Sequence, residues 1–209
     1  MALDEASLIA RMVARVPSLP APQGPGDDAA VLAAVPSACH RVCTTDLMVE
    51  GVHFLRAHPP AWLGHKLLAS NLSDVAAMGA MPEAFVVTAA LPTGTPEAWW
   101  DALSRGIGEL ASAAGAVLVG GDVVRSPGPL MLGVTAWGCA ERVLTRGGGN
   151  SGDVLMVRAA DGLGRARLGL SRWLASAGRS TFFGATPASA WAEDPCLRAH
   201  LRPNPDLAA

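Results

Sequence analysis

SNLSDVAAMGAMPE, Ser70–Glu83, decides how this chain folds. It opens as the tail of an apolar, alanine-rich helical pattern that starts near Trp62, after Pro59-Pro60. Gly79 stops that pattern, and AFVVTAAL, Ala84–Leu91, follows as a buried-strand candidate. The helix also carries Asn71 and Asp74, one helical turn apart. A helix this apolar is expected to be buried, where a lone carboxylate is costly. Asp74 is therefore expected to hold something.

Upstream, Ala6–Val16 has helical period, Pro17–Pro25 is a proline-rich loop, and Ala30–Ala34 and Arg41–Thr45 read as short strands. Downstream, Thr95 is placed as an N-cap with Pro96 at the first helical position of a helix to Ala114, which Gly115 ends. Strands are expected at Ala116–Val119, Leu130–Cys139 and Asp153–Ala159, and a helix at Leu163–Ala177. The interleaving argues an α+β (mixed α/β) fold. The glycine-rich Gly147–Gly152 suggests a boundary between residues 1–149 and 150–209. After Gly178 the pattern is lost. One strand and one helix cannot bury a core, so the second α/β domain is expected to be incomplete.

Half of the residues are hydrophobic and 16% are charged, a core-rich globular composition. The net charge of −2 leaves no basic footprint for nucleic acid or an anionic membrane. No apolar run is long enough to span a bilayer, and the acidic start lacks the form of a signal peptide. Four scattered cysteines fit a reduced, cytoplasmic protein.

Acids stand at four stations. Gly26-Asp27-Asp28 precedes an apolar run, Thr44-Thr45-Asp46 closes one, Gly120-Gly121-Asp122 closes another, and Asp74 lies in the helix. Three stations are thus expected at strand ends, where side chains converge on one edge of a sheet. Gathered carboxylates repel unless a cation sits among them, and Mg²⁺ prefers such oxygen ligands and substrate phosphates. Taken singly, each Gly-Asp also fits a turn, and Asn71 also fits a core hydrogen bond. Together they favour a metal–phosphate site.

Other chemistries lack support. Cys39-His40-x-x-Cys43 has no second ligand pair at zinc spacing. There is no P-loop, and Gly162-Leu-Gly164 is not a dinucleotide fingerprint.

GDDAAVL, TTDLMVEGVHF, KLLASNLSDVAAMGAMPE, LVGGDVVRSPGPLMLGVTAWG and LTRGGGNSGD occur in this order. Over roughly residues 5–170, at the scale of one full domain, they resemble the N-terminal half of thiamine-monophosphate kinase, of the PurM-like ATP-binding superfamily. That resemblance implies a barrel-forming sheet flanked by helices, a homodimer, and Mg²⁺-dependent transfer of the γ-phosphoryl of ATP to thiamine monophosphate, giving thiamine diphosphate. It implies Asp28, Thr44, Thr45, Asp46, Asp74 and Asp122 as Mg²⁺ ligands, with Asp27 assisting. It implies Gly121, Asp122 and Arg146 at the nucleotide and His53 at the thiamine phosphate. No protein base is expected, because the attacking phosphate oxygen is already deprotonated at neutral pH. GDVLMVRAADGLGRARLGL resembles the start of that family's second domain, and HLRPNPDLAA resembles a segment well inside it. The alternative expectation is a non-catalytic remnant, a Mg²⁺–nucleotide-binding dimerisation module.

Overall fold

A computed structural model describes residues 4–20, 23–25, 30, 32, 34–156, 164–177, 192–205 and 207. Among them, α1 (Glu5–Val13) is followed by β1 (His40–Val49), α2 (Pro60–Ala77), β2 (Met81–Pro92), α3 (Glu97–Ala114), β3 (Val117–Ser126), β4 (Met131–Ala140), α4 (Arg165–Ala177) and α5 (Pro195–Leu201). The fold is mixed α+β, as the interleaving indicates.

The strands form one four-stranded sheet in the order β1-β4-β2-β3. β4 runs antiparallel to both β1 and β2, whereas β2 and β3 are parallel. A parallel pair needs a crossover, and α3 supplies it. The sheet is open, so closure into a barrel does not occur within these four strands.

α2 and α3 pack on each other and cover one side of the sheet. Leu67, Leu68 and Leu72 of α2, Trp100, Leu103 and Ile107 of α3, and Phe85, Leu132 and Val134 of the sheet fill a single core. Even-numbered residues of β1 and β4 and, beyond the register shift at Pro82–Ala84, the odd-numbered residues Phe85–Leu91 of β2 face these helices, as strand alternation requires. We call this the helix side and the other the open side.

The two helices cross at glycines. A Cβ on Gly64 would lie 2.1 Å from the Leu103 carbonyl oxygen, and one on Gly106 would lie 1.8 Å from that of Ala61. Each backbone therefore occupies the space a side chain would need on the other.

Several sequence expectations need correction. α3 has Pro96 as its N-cap without a side-chain bond, because the Thr95 hydroxyl donates back to the Pro92 carbonyl at 2.8 Å. β1 and β3 do not end at their acids. Both run on, to Val49 and Ser126, because β-branched and apolar residues follow Asp46 and Asp122 and keep the ladder. Gly121 tolerates a strand interior here because a Cβ would meet the Val87 carbonyl at 2.2 Å. The strand expected from Asp153 is not seen among the described residues, since 153–156 pairs with no strand and residues 157–159 lie outside them. Of the strand expected at Ala30–Ala34, the described residues 30, 32 and 34 are not in a strand.

α5 arises where the sequence reading saw no pattern. Asp194 caps it, accepting from the Cys196 and Leu197 amides at 2.8 and 3.2 Å, and Pro195 opens it. α5 packs on α4, and a small cluster of Ala57, Trp173, Leu197 and Leu201 joins them to the loop before α2. Two histidines hold α5 and its tail: His58 Nε2 lies 2.9 Å from the Leu201 carbonyl oxygen, and His65 Nε2 lies 2.9 Å from that of Pro203.

This attachment is expected to be pH-sensitive. Burial, and secondly the charge of Lys66, lower His58 from the ordinary 6.5 to about 3. Folding therefore selects the neutral ring, while the unfolded chain takes up a proton below pH 6.5. The stability His58 supports is complete above that value and declines as pH falls towards its folded value. Between pH 7.5 and pH 5 the loss from His58 alone is about 2 kcal/mol. His65 and His200 are shifted the same way, chiefly by burial. Urea midpoints followed by fluorescence should show this loss, with Trp173 5.9 Å from the His58 ring as reporter. His58→Leu should flatten the dependence.

Candidate functional site

Asp74 is on the exposed face at the last turn of α2, so the helix does not bury it. The buried polar residues of α2 are His65 and Asn71, and the Asn71 amide donates to the Leu67 carbonyl at 3.2 Å. The apolar stripe takes Leu68, Leu72 and Val75 inward and leaves Ser73, Asp74 and Ala77 outside. Asp74 instead meets β1: the Thr44 hydroxyl donates to its Oδ2 at 3.1 Å.

Thr44 and Asp46, two residues apart, share the helix side of β1. Thr45 takes the open side, where its Oγ1 donates to the Val134 carbonyl at 3.1 Å and lies 2.9 Å from Thr135 Oγ1. Asp122 also belongs to the open side, opposite Thr88 in the β2–β3 register. Thr88 and Leu47 flank Gly133 of β4, where a Cβ would come within 2.5 Å of Thr88 Oγ1. The structure thus joins Thr44, Asp46 and Asp74 on one side and sets Thr45 and Asp122 on the other. Among the described residues no group of three or more His, Cys, Asp or Glu forms a metal cage.

Asp27 and Asp28 lie outside the described residues. Their described flanks Pro25 and Ala30 line a cavity of about 380 Å³ together with Gly121, Asp122, Met12 and Trp100. The third acidic station, Gly121 and Asp122, therefore borders a concave space.

Arg146 is exposed and has no ion pair among the described residues. Its segment is anchored by the Leu144 amide, which donates to the Met78 carbonyl at 3.0 Å, just beyond the end of α2 that carries Asp74. His53 is exposed in the loop after β1, and its Nδ1 accepts from the Val49 amide at 3.0 Å. His53 and the Arg146 segment thus stand beyond opposite ends of β1, a strand about 30 Å long.

One residue the sequence reading passed over shapes the His53 loop. Glu50 Oε2 accepts from Arg56 at 2.5 Å and from the Leu130 amide at 3.1 Å. Burial raises its carboxyl, but the Arg56 and Leu130 hydrogen bonds and the Arg56 charge outweigh this and leave it below the usual range. Its signal was an acid immediately after β1, inside TTDLMVEGVHF. Thr88 and Thr135 carried no signal beyond their place in strands.

The charge pairing separates two kinds of acid. Glu50, Glu83, Glu97, Asp101, Glu109 and Asp194 each carry an arginine. Asp46, Asp74 and Asp122 carry no cationic side chain among the described residues. Unpaired carboxylates with hydroxyls beside them are a hard oxygen donor set. No helix among the described residues is long and apolar enough to cross a membrane.

Comparison with known proteins gives consistent matches. The family described as AIR synthase related protein, N-terminal domain, matches residues 26–140. The thiamine-monophosphate kinase of Escherichia coli K12 is 37% identical over 209 residues, 99% of this chain and 61% of that protein. The crystal structure of thiamine-monophosphate kinase from Stenotrophomonas maltophilia K279a aligns with a TM-score of 0.74 at 35% identity, over 99% of this chain and 63% of that one. AaThiL complexed with AMPPCP and TMP aligns with a TM-score of 0.70 at 26% identity, over 83% of this chain and 52% of that one. The chain spans less than two thirds of the length of each of these relatives.

Proposed function

This chain belongs to the AIR synthase related protein family, and from that premise we propose that it serves ATP- and Mg²⁺-dependent phosphorylation of thiamine monophosphate to thiamine diphosphate. The observation that carries this reading is the set of aspartates with no cationic side chain among the described residues, Asp46, Asp74 and Asp122, with the Thr44 hydroxyl on Asp74. A relative bound to AMPPCP and TMP supports the same pair of substrates, a nucleotide and thiamine monophosphate.

Thr44, Asp46 and Asp74 form one oxygen donor group for Mg²⁺. Thr45 and Asp122, with β4 and β2 between their strands, would each offer a separate oxygen on the open side, and Asp28 belongs to the same proposal. When bound, Mg²⁺ offsets the mutual repulsion of two polyanions and polarises the transferring phosphoryl group. The remaining work falls to the chain. The Thr44 hydroxyl, donating to Asp74 Oδ2, fixes the orientation of that carboxylate. Gly121 lets a phosphate approach the backbone, as a side chain there would not. Arg146 supplies a planar cation for phosphate oxygens. His53, with Nδ1 occupied by the Val49 amide, leaves Nε2 as the ring atom for the thiamine phosphate. The phosphate oxygen attacks the γ-phosphorus, the bond to the β,γ-bridging oxygen breaks, and ADP leaves. No protein base is needed.

The proposal extends to assembly. Leu47 and Val124, 56% and 50% exposed, stand with Cys43 and Met131 on the open side. Such a face is suited to an isologous homodimer, in which two open sheets close into a barrel. A cytoplasmic setting and the division into residues 1–149 and 150–209 belong to the same reading.

Incubating the 209-residue chain with ATP and thiamine monophosphate, with and without Mg²⁺, tests it. Thiamine diphosphate and ADP in equal amounts, only with Mg²⁺, are the expected products. Mg²⁺-linked ATP binding without ADP release would replace the kinase reading with a nucleotide-binding module. Absence of Mg²⁺-linked ATP binding would overturn both.

A further inference from the structure

Two thiols meet at one end of the β1–β4 ladder. Cys139 stands opposite Arg41, and Cys39 directly precedes β1, two residues before Arg41. They are diagonal neighbours on the open side of the sheet. The nearby Cys39 thiol, then burial, raises Cys139 to about 11. Both are half-buried. The other two cysteines differ: Cys43 is exposed and opposite Trp137, and Cys196 is buried in α5. No group of three metal-ligating side chains includes the pair among the described residues.

We propose that Cys39 and Cys139 form a reversible disulfide, closed by a low-molecular-weight disulfide and reopened by a dithiol. Cys139 keeps its proton at neutral pH, so Cys39 attacks first. Its thiolate bonds to one sulfur of the small disulfide, whose S–S bond breaks and releases one thiolate, which takes up a proton. Cys139 then loses its proton to solvent, its sulfur attacks Cys39 Sγ, and the second small thiol leaves. Two protein thiols are oxidised by two electrons and one small disulfide is reduced to two thiols. The bridge closes a loop of about 100 residues and clamps β4 to the strand that carries Thr44, Thr45 and Asp46.

Trypsin makes the test clean, because Arg41 separates Cys39 from Cys43. The full chain is incubated with oxidised glutathione, blocked with N-ethylmaleimide and digested without reductant. The expected product is a cross-link between the peptides of residues 16–41 and 126–142, two hydrogens lighter than their sum. The thermal midpoint should rise by several degrees and return after dithiothreitol. Cys139→Ser should stop at a glutathione adduct on Cys39, whereas Cys43→Ser should leave the cross-link intact. A wild-type chain that keeps glutathione on Cys39, or that forms Cys43-linked dimers while the peptides of Cys39 and Cys139 stay alkylated, would overturn the proposal. None of these readouts depends on kinase activity.

Discussion

Asp46→Asn is expected to lower Mg²⁺-dependent ADP formation by at least about 100-fold while the chain remains folded. The substitution conserves shape and removes one negative charge from the middle of β1. Asp46 is half-buried on the helix side, shares that side with the Thr44–Asp74 pair, and has no arginine beside it among the described residues. Asparagine there offers one neutral oxygen, a much weaker ligand for a hard dication. The Mg²⁺ concentration for half-maximal rate should therefore rise along with the loss in rate. Glu83→Gln is the matched control. Its carboxylate already carries Arg41 at 3.1 Å and is exposed, so its loss should change stability by no more than about 0.5 kcal/mol and leave Mg²⁺ dependence unchanged. If the chain binds ATP without turnover, calorimetric Mg²⁺–ATP affinity replaces rate as the readout. Equal Mg²⁺ curves for Asp46→Asn and wild type would remove Asp46 from the metal site.

The second large effect is structural. Gly106→Ala places a Cβ 1.8 Å from the Ala61 carbonyl oxygen, and that atom belongs to a helix backbone. A flexible side chain could move aside; α2 can yield only by separating from α3. A loss of about 3 kcal/mol in urea unfolding is expected, with Gly64→Ala close behind it. Gly147→Ala is the contrast, because nothing lies within 4 Å of the added atom. It should be neutral or slightly stabilising. A Gly106→Ala chain that unfolds at the wild-type urea concentration would show that the crossing is looser than described.

Local rules made much of this fold legible. Gly115 ends α3 in the left-handed conformation at φ 68°, as a glycine after an alanine-rich helix suggests. Gly79, at φ 72°, does the same service between α2 and β2. What stayed hidden depends on distant partners. Asp74 looked buried because composition describes a whole helix, whereas exposure depends on which arc of it meets the sheet. Asp46 and Asp122 looked like strand ends because glycine and aspartate are poor strand formers, but paired neighbours override that preference. α5 is too short for periodicity to reveal, and its attachment rests on His58 and His65, each bonded to a carbonyl more than 130 positions away.

In the candidate site, residue types were readable and their grouping was not. Thr44 and Thr45 pass as one motif in a string of letters, yet alternation sends their hydroxyls to different carbonyl and carboxylate partners.

The backbone of β1 consequently acts as a dividing wall. A change of side chain at Thr45 can retune one compartment while its immediate neighbour keeps serving the other. A shift of the whole strand by a single position would exchange their occupants wholesale. Divergence among such proteins can proceed by editing either compartment in isolation, provided the alignment of β1 against β4 is preserved.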